Sequence, residues 1–396
     1  MNKYVKFWIA FIGCFLISFI GSFIYYYFSF RPEIIYSLNF KEIDVYSKYK
    51  VSDLINTPAE IVDDYYVDTT KVGRKKIKYT FSTGGFKTYE DYFYIDIVDT
   101  EAPYVMLGNS YSHIIGNSFN METSVFMGDN VTKRPNVEIV GDYDLEKVGN
   151  YPLIFRVSDE SGNVTEKEFT LYVKEKSNSS GNSSSSSSYI TFEELQNRIP
   201  EGAELMVDVS KWQEDINWQE VYDSGIRYAM LRLGTQNGVD KDSRLDIYFD
   251  KNIKEAQAVG IKVGVYYFSY ANDIEDAKSQ AKWVVDSLKD YELDLPVAFD
   301  WECWNLFDDF KLNFYELNMI GDTFLKIVEE AGYDTLLYGS KNYIENIWTY
   351  LDYDIWLAHY TKSTTYSGPM KMWQFTNSGR VPGIKGNVDV NFYYVK

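Results

Sequence analysis

A chain of 396 residues is too long for one ordinary domain and predicts two or three. Hydrophobic and charged contents of 45% and 24% are those of folded protein, and a net charge of −19 excludes a nucleic-acid binder or a polybasic membrane clamp. Two cysteines, Cys14 and Cys303, are too few for a disulfide framework, and two histidines, His113 and His359, exclude a histidine-rich zinc site, so neither metal nor cofactor is expected.

Residues 1–31 read as a cytoplasmic start followed by a membrane anchor. Phe7 to Phe30 is almost unbroken apolar and aromatic sequence, long enough to cross about 30 Å of hydrocarbon at about 1.5 Å per residue. Lys3 and Lys6 precede it, which holds the N-terminus inside and sends the rest of the chain to the cell-wall side. A cleaved signal peptide is the alternative, but no small-x-small site follows the run. The run also continues well past Cys14, so that residue is not read as a lipid attachment site.

Residues 32–100 and 101–176 read as two β modules with an internal repeat. Val72-Gly73 opens a run in which Ile77, Tyr79 and Phe81 alternate, and Val148-Gly149 opens one in which Leu153, Phe155 and Val157 alternate. Each is a half-buried strand with one face inward. The second continues through the turn cluster Ser158–Asn163 to a closing strand from Phe169 to Val173, and Asp99-Thr100-Glu101-Ala102-Pro103 joins the units. These residues resemble the Ig-like modules of bacterial surface proteins. Neither module carries an acid, base or nucleophile cluster, so spacers or contacts for cell-envelope proteins are expected. Residues 177–190, almost entirely serine, asparagine and glycine, read as a flexible linker with a reach of about 20 Å.

Residues 191–396 change character. Thr191-Phe192-Glu193-Glu194 fits a capping box. Short strands are expected at 205–209, 228–233, 262–268, 297–301, 335–338, 355–358, 371–375 and 388–390, with amphipathic helices such as 248–259 and 274–288 between the earlier ones. This is α/β sequence, and it predicts a compact parallel barrel whose chemistry sits at the C-terminal strand ends. Polar residues fall at those ends: Asp208, Arg232, Asp300 with Glu302, Tyr338, Trp373 with Gln374, and Asp389. Four carboxylates converging on one mouth repel one another, which raises the pKa of at least one and supplies a protonated acid near neutrality. Asp300 and Glu302, two apart, share a face, and glycoside cleavage needs an acid and a second stabilising group. Eight of the nine tryptophans lie in this last segment, and indole faces stack well on sugar rings.

Six motifs in order carry a family resemblance: Asp208-Val209-Ser210-Lys211-Trp212-Gln213, Met230–Gly234, Gly264–Ser269, Pro296–Glu302, Trp356–Tyr360 with Met372–Thr376, and Gly386–Asn391. Together they resemble the family 25 glycoside hydrolases, the Chalaropsis-type lysozymes, from Leu205 to the C-terminus. The resemblance implies a modified (β/α) barrel, without a metal, that hydrolyses the β-1,4 bond after N-acetylmuramic acid in peptidoglycan. It implies Glu302 as general acid/base, Asp300 in support, and Asp208 and Asp389 completing the acidic floor. Tyr266, Phe268, Tyr338, Trp356, Trp373 and Gln374 would line the sugar sites, with Arg232 beside them or paired to a buried carboxylate. Tyr267, where many members carry histidine, and Asn377, where several carry an acid, depart from the pattern. Two rival readings remain: a peptidoglycan peptidase using Cys303 and His359, and a wall-binding protein without catalysis.

Overall fold

The computed structural model describes residues 2–29, 34–84, 87–121, 124–176, 189–236, 238–239 and 241–395. The core of the expected linker, 177–188, lies outside the described residues. The chain divides into two compact units, Met1–Thr100 and Glu101–Lys396.

In the first unit a helix spans Lys3–Ser29, and its segment Lys3–Tyr27 has a mean hydropathy of 2.3 with no part of it buried. By length and composition it suffices to cross a membrane. The unit's β module rests on a hairpin of Gly73–Ser82 and Thr88–Val98. Ile77, Tyr79 and Phe81 face inward and are almost fully buried, as the alternation predicts.

The second unit begins with a module of the same plan. Its hairpin, Gly149–Ser158 with Val164–Lys174, has arms of the same lengths, 10 and 11 residues, and pairs Gly149 with Val173 as the first pairs Gly73 with Ile97. The turn is held by Asp159, whose carboxylate accepts from both the backbone and the side-chain nitrogens of Asn163 at 2.8 and 2.7 Å. In each module a short strand joins one edge of the hairpin in parallel, Glu42–Asp44 in the first and Ser110–Ile114 in the second. The sheets are therefore mixed. Leu153, Phe155, Val157, Phe169 and Leu171 form the second module's core, each large side chain contributing roughly 2–3 kcal/mol.

The rest of the second unit is built on a nine-stranded sheet: β1 (Ala203–Val209), β2 (Tyr228–Gln236), β3 (Ser243–Leu245), β4 (Lys262–Ser269), β5 (Val297–Trp301), β6 (Thr335–Ser340), β7 (Ile355–Ala358), β8 (Met372–Gly379) and β9 (Val388–Tyr394). The order is β1-β9-β8-β7-β6-β5-β4-β2-β3, and β1 also pairs with β2, so the sheet closes on itself. It differs from an all-parallel barrel in two ways. β9 runs antiparallel to both β8 and β1, because the eight residues between β8 and β9 cannot make the crossover that a parallel pair requires. β3, absent from the sequence reading, adds an antiparallel flap to β2.

Two cores follow from strand alternation. One set of side chains, including Met206, Met230, Leu336 and Met372, fills the interior of the closed sheet. The other packs outward against helices Phe249–Ala258, Ile274–Leu288 and Phe314–Glu330. The interior has no slack at Gly264 on β4. A Cβ there would lie 2.7 Å from Leu295 Cβ, Met230 Sδ and the Pro296 carbonyl oxygen. Gly264→Ala is expected to cost about 1–3 kcal/mol, read as a lower denaturant midpoint at unchanged slope.

Candidate active site

Closure of the sheet decides which carboxylates meet. Asp208 lies near the end of β1 and pairs across the ladder with Asp389 near the start of β9. Because β9 is reversed, its start lies at the mouth formed by the C-terminal ends of the parallel strands. Asp300 is on β5, and Glu302 follows the end of that strand. All four line one cavity of about 210 Å³, with Arg232, Tyr266, Phe268, Tyr338, Trp356 and Gln374. The mouth is thus assembled from eight strands and more than 180 residues of sequence.

Asp208 is the best-anchored of the four. Its Oδ2 accepts from Gln374 Nε2 at 3.0 Å and from Asn391 Nδ2 at 2.7 Å. Each amide is oriented in turn: Tyr338 and Tyr360 both donate to Gln374 Oε1 at 2.9 Å, and the Trp356 indole donates to Asn391 Oδ1 at 2.7 Å. These donors leave no freedom in which way the amides point. Burial outweighs the two hydrogen bonds, and the Asp208 carboxyl is pushed up to about 6.

The others are displaced the same way. Asp389 is raised to about 8 by burial and then by Asp208 and Glu302. Asp300, buried and with Oδ1 lacking a hydrogen-bond partner, is raised by burial, then by Glu302 and Asp208, against the pull of Arg232. Glu302 stands exposed at the rim, yet the surrounding walls desolvate its carboxyl, and Asp208 adds to the upward shift. Such a cluster retains protons near neutrality, which is the condition for a general acid.

One expected lining residue is placed differently, and Arg232 takes both of its expected parts. Trp373 is adjacent to Gln374 on β8 and therefore points to the other face. It packs on Phe392 and Phe375 in the outer core and donates its indole N–H to the His359 carbonyl oxygen at 2.9 Å. Arg232 lines the cavity and is paired to a buried carboxylate, Asp246, at 2.6 Å. Asp246 also accepts from the backbone N–H groups of Lys211 and Tyr248. The departure at Tyr267 does not reach the mouth, since that ring is buried outward, stacked on Phe324 and bonded to Ser243 Oγ at 2.6 Å.

Ser210, Trp212, Gln213 and Tyr360 line the cavity as well. All four fall within the family-like motifs, just past the ends of β1 and β7, and that position is the signal that marks them. The cysteine peptidase reading fails on geometry. Cys303 is buried, its Sγ donates to the Ser269 carbonyl oxygen, and burial pushes the thiol up to about 12, where no thiolate nucleophile forms. His359 Nδ1 is engaged with Thr364 Oγ1 at 2.9 Å.

The family model described as "Glycosyl hydrolases family 25" matches residues 207–384. An uncharacterized protein YegX of Escherichia coli strain K12 is 31% identical over 195 residues, covering 47% of this chain and 68% of that protein. Lysozyme M1 of Streptomyces globisporus is 28% identical over 204 residues, covering 47% and 66%. Among solved structures, the modular autolysin LytC of Streptococcus pneumoniae, in complex with a synthetic peptidoglycan ligand, is similar at a TM-score of 0.43 and 24% identity. The match covers 61% of this chain and 56% of that one, a little over half of its length. A family 25 glycosyl hydrolase from Bacillus anthracis is similar at 0.43 and 22%, covering 50% and 92%.

The raised carboxyls have a consequence for stability. With folded values above the ordinary 3.8, Asp208 and Asp389 favour the fold when protonated. That contribution is full below pH 3.8 and is lost as pH rises through about 6 for Asp208 and about 8 for Asp389. Asp389→Asn is therefore expected to raise the thermal midpoint by a few degrees above pH 8 and by much less at pH 4, checked by melting curves across that range.

Proposed function

We propose that this chain, which belongs to the glycosyl hydrolases of family 25 through residues 207–384, is a muramidase. It hydrolyses the β-1,4 bond that follows N-acetylmuramic acid in peptidoglycan. The observation that carries the reading is the mouth at which Asp208, Asp300, Glu302 and Asp389 converge with raised proton affinity.

Glu302, the most exposed of the acids, donates its proton to the glycosidic oxygen as the C–O bond breaks, and the departing sugar leaves as an alcohol. The oxocarbenium-like centre left behind is electron-poor. The substrate's own acetamido oxygen, oriented by Asp300 deeper in the cleft, attacks the anomeric carbon with its lone pair and closes a ring. The Glu302 carboxylate then takes a proton from water, whose oxygen opens the cyclised intermediate and restores the acid. Asp208 stays fixed by Gln374 and Asn391 and tunes the proton affinity of the other three. Tyr266, Phe268, Tyr338 and Trp356 supply apolar walls, and Trp212, 74% exposed at the rim, offers an indole face to a further sugar.

The wider architecture supports a modified (β/α) barrel tethered outside a membrane by the Lys3–Ser29 helix, with two Ig-like modules between helix and barrel, the first of them a spacer. Such an enzyme acts locally on the wall and serves remodelling. If the helix is a retained anchor, the full-length mass is found in the membrane fraction after alkaline extraction. A shortened, soluble form would identify a cleaved signal sequence instead.

The activity is tested by incubating the detergent-solubilised full chain with purified peptidoglycan and identifying the new reducing ends by mass spectrometry. N-acetylmuramic acid is the expected new end. A new N-acetylglucosamine end contradicts the muramidase reading, and a severed peptide contradicts glycosidase action altogether. Glu302→Gln is expected to lower the rate by about a thousandfold or more, while Cys303→Ser leaves it within about twofold. Digestion unaffected by Glu302→Gln would remove the assigned acid.

A further inference from the structure

Residues 301–304 hold Glu302 between two pinned neighbours. The Trp301 indole donates to the Ala271 carbonyl oxygen at 2.9 Å, and Cys303 Sγ donates to that of Ser269 at 3.4 Å. The next residue, Trp304, begins a short 3-10 turn and has no hydrogen bond of this kind at its ring. It is held by packing instead: stacked on Tyr343 at 3.7 Å, with Trp301 edge-on at 4.8 Å.

The remaining side of this aromatic group is filled from the preceding β module. Phe126, on the short strand Phe126–Gly128, lies edge-on to Trp304 at 5.5 Å, to Tyr343 at 5.6 Å and to Phe307 at 5.7 Å. It also stacks on Phe314 at 6.3 Å. The loop after Phe126 then caps helix Phe314–Glu330. The Asp129 carbonyl oxygen accepts the Phe314 N–H at 2.8 Å, and the Val131 carbonyl oxygen accepts from the side chain of the N-cap residue Asn313 at 2.9 Å. Lys133 pairs with Glu316 in the first turn at 2.8 Å. An orphan N–H at a helix start is thus satisfied by another module's backbone. The approach is close: a Cβ on Gly128 would lie 2.5 Å from the Phe314 ring.

We propose that the 101–176 module is a working part of the catalytic unit, with Phe126 a positioning residue that holds Trp304 and thereby sets Glu302. The inference rests on the muramidase reading. A spacer needs only a covalent tether, and serine linkers supply that. Packing a half-buried ring against Trp304, two residues after the acid, and capping the helix that backs it, adds a geometric constraint on the acid itself. Displacement of a catalytic group by about 1 Å costs up to about a hundredfold in rate.

The test uses the full chain and soluble, peptide-free glycan strands of alternating N-acetylglucosamine and N-acetylmuramic acid. Phe126→Ala is expected to lower kcat ten- to a hundredfold, by order of magnitude, with KM within about twofold. Phe126→Leu, which keeps apolar bulk, restores most of kcat, and Gly128→Ala, which wedges the seam, lowers it again. Amide exchange of residues 302–306 rises in Phe126→Ala and Gly128→Ala and stays slow in Phe126→Leu. An unchanged kcat in Phe126→Ala, or a loss confined to KM, overturns the proposal. So does a loss that tracks only a lower melting midpoint and is not rescued by leucine. If Phe126→Ala fails to fold, Gly128→Ala and Phe126→Leu carry the same comparison, and wild-type kcat in both overturns it. Should the wild type leave the strands intact, the muramidase reading fails. Exchange at 302–306 then still decides whether Phe126 holds the Glu302 segment.

Discussion

Four carboxylates share one poorly solvated mouth, and most of the surrounding structure answers the cost of that arrangement. Like charges on paired strands, as with Asp208 and Asp389, repel across the ladder. Burial raises the proton affinity of each acid and of its neighbours. The counter-measures are specific. Gln374 and Asn391 hold Asp208 as a charge-tolerant anchor, each amide fixed by a phenol or an indole. Arg232, itself held by Asp246, draws Asp300 back down. The mouth is costly for the fold and useful for chemistry, as acid sites commonly are.

The acids were legible in the sequence because strand alternation and strand ends are local signals. Asp300 and Glu302 sit two apart behind the buried run Pro296–Phe299, and that spacing alone puts them on one side. The same rule, applied to Trp373 and Gln374, excludes both from one cavity, and the structure places only Gln374 there. The reversal of β9 follows from a short connection, although a strand pattern alone carries no direction. Asn391 and Asp246 were not assigned because their parts are played through Asp208, 183 residues away, and Arg232, 14 residues away across a turn into β3, neither of which a strand pattern links to them.

The seam between the 101–176 module and the closed sheet was illegible for a different reason. The serine-rich segment signals separation, whereas docking depends on a half-buried ring, Phe126, in a three-residue strand with no periodicity to read. Only the spatial convergence of Trp304, Phe307, Phe314 and Tyr343 gives that ring a meaning. The module and the catalytic segment then form one compact unit, from Glu101 onward, and the acid's support extends beyond the segment that the family defines.

On the muramidase reading, Glu302 is the proton reservoir of this mouth. The most direct measurement is a carbon-13 carboxyl titration of the full chain, wild type against Glu302→Gln. On that assignment the variant loses a carboxyl titrating above the ordinary glutamate value of 4.5, and Asp300 and Asp389 shift downward as Glu302's charge is removed. Loss of a carboxyl titrating at or below 4.5, with the others unmoved, would contradict it.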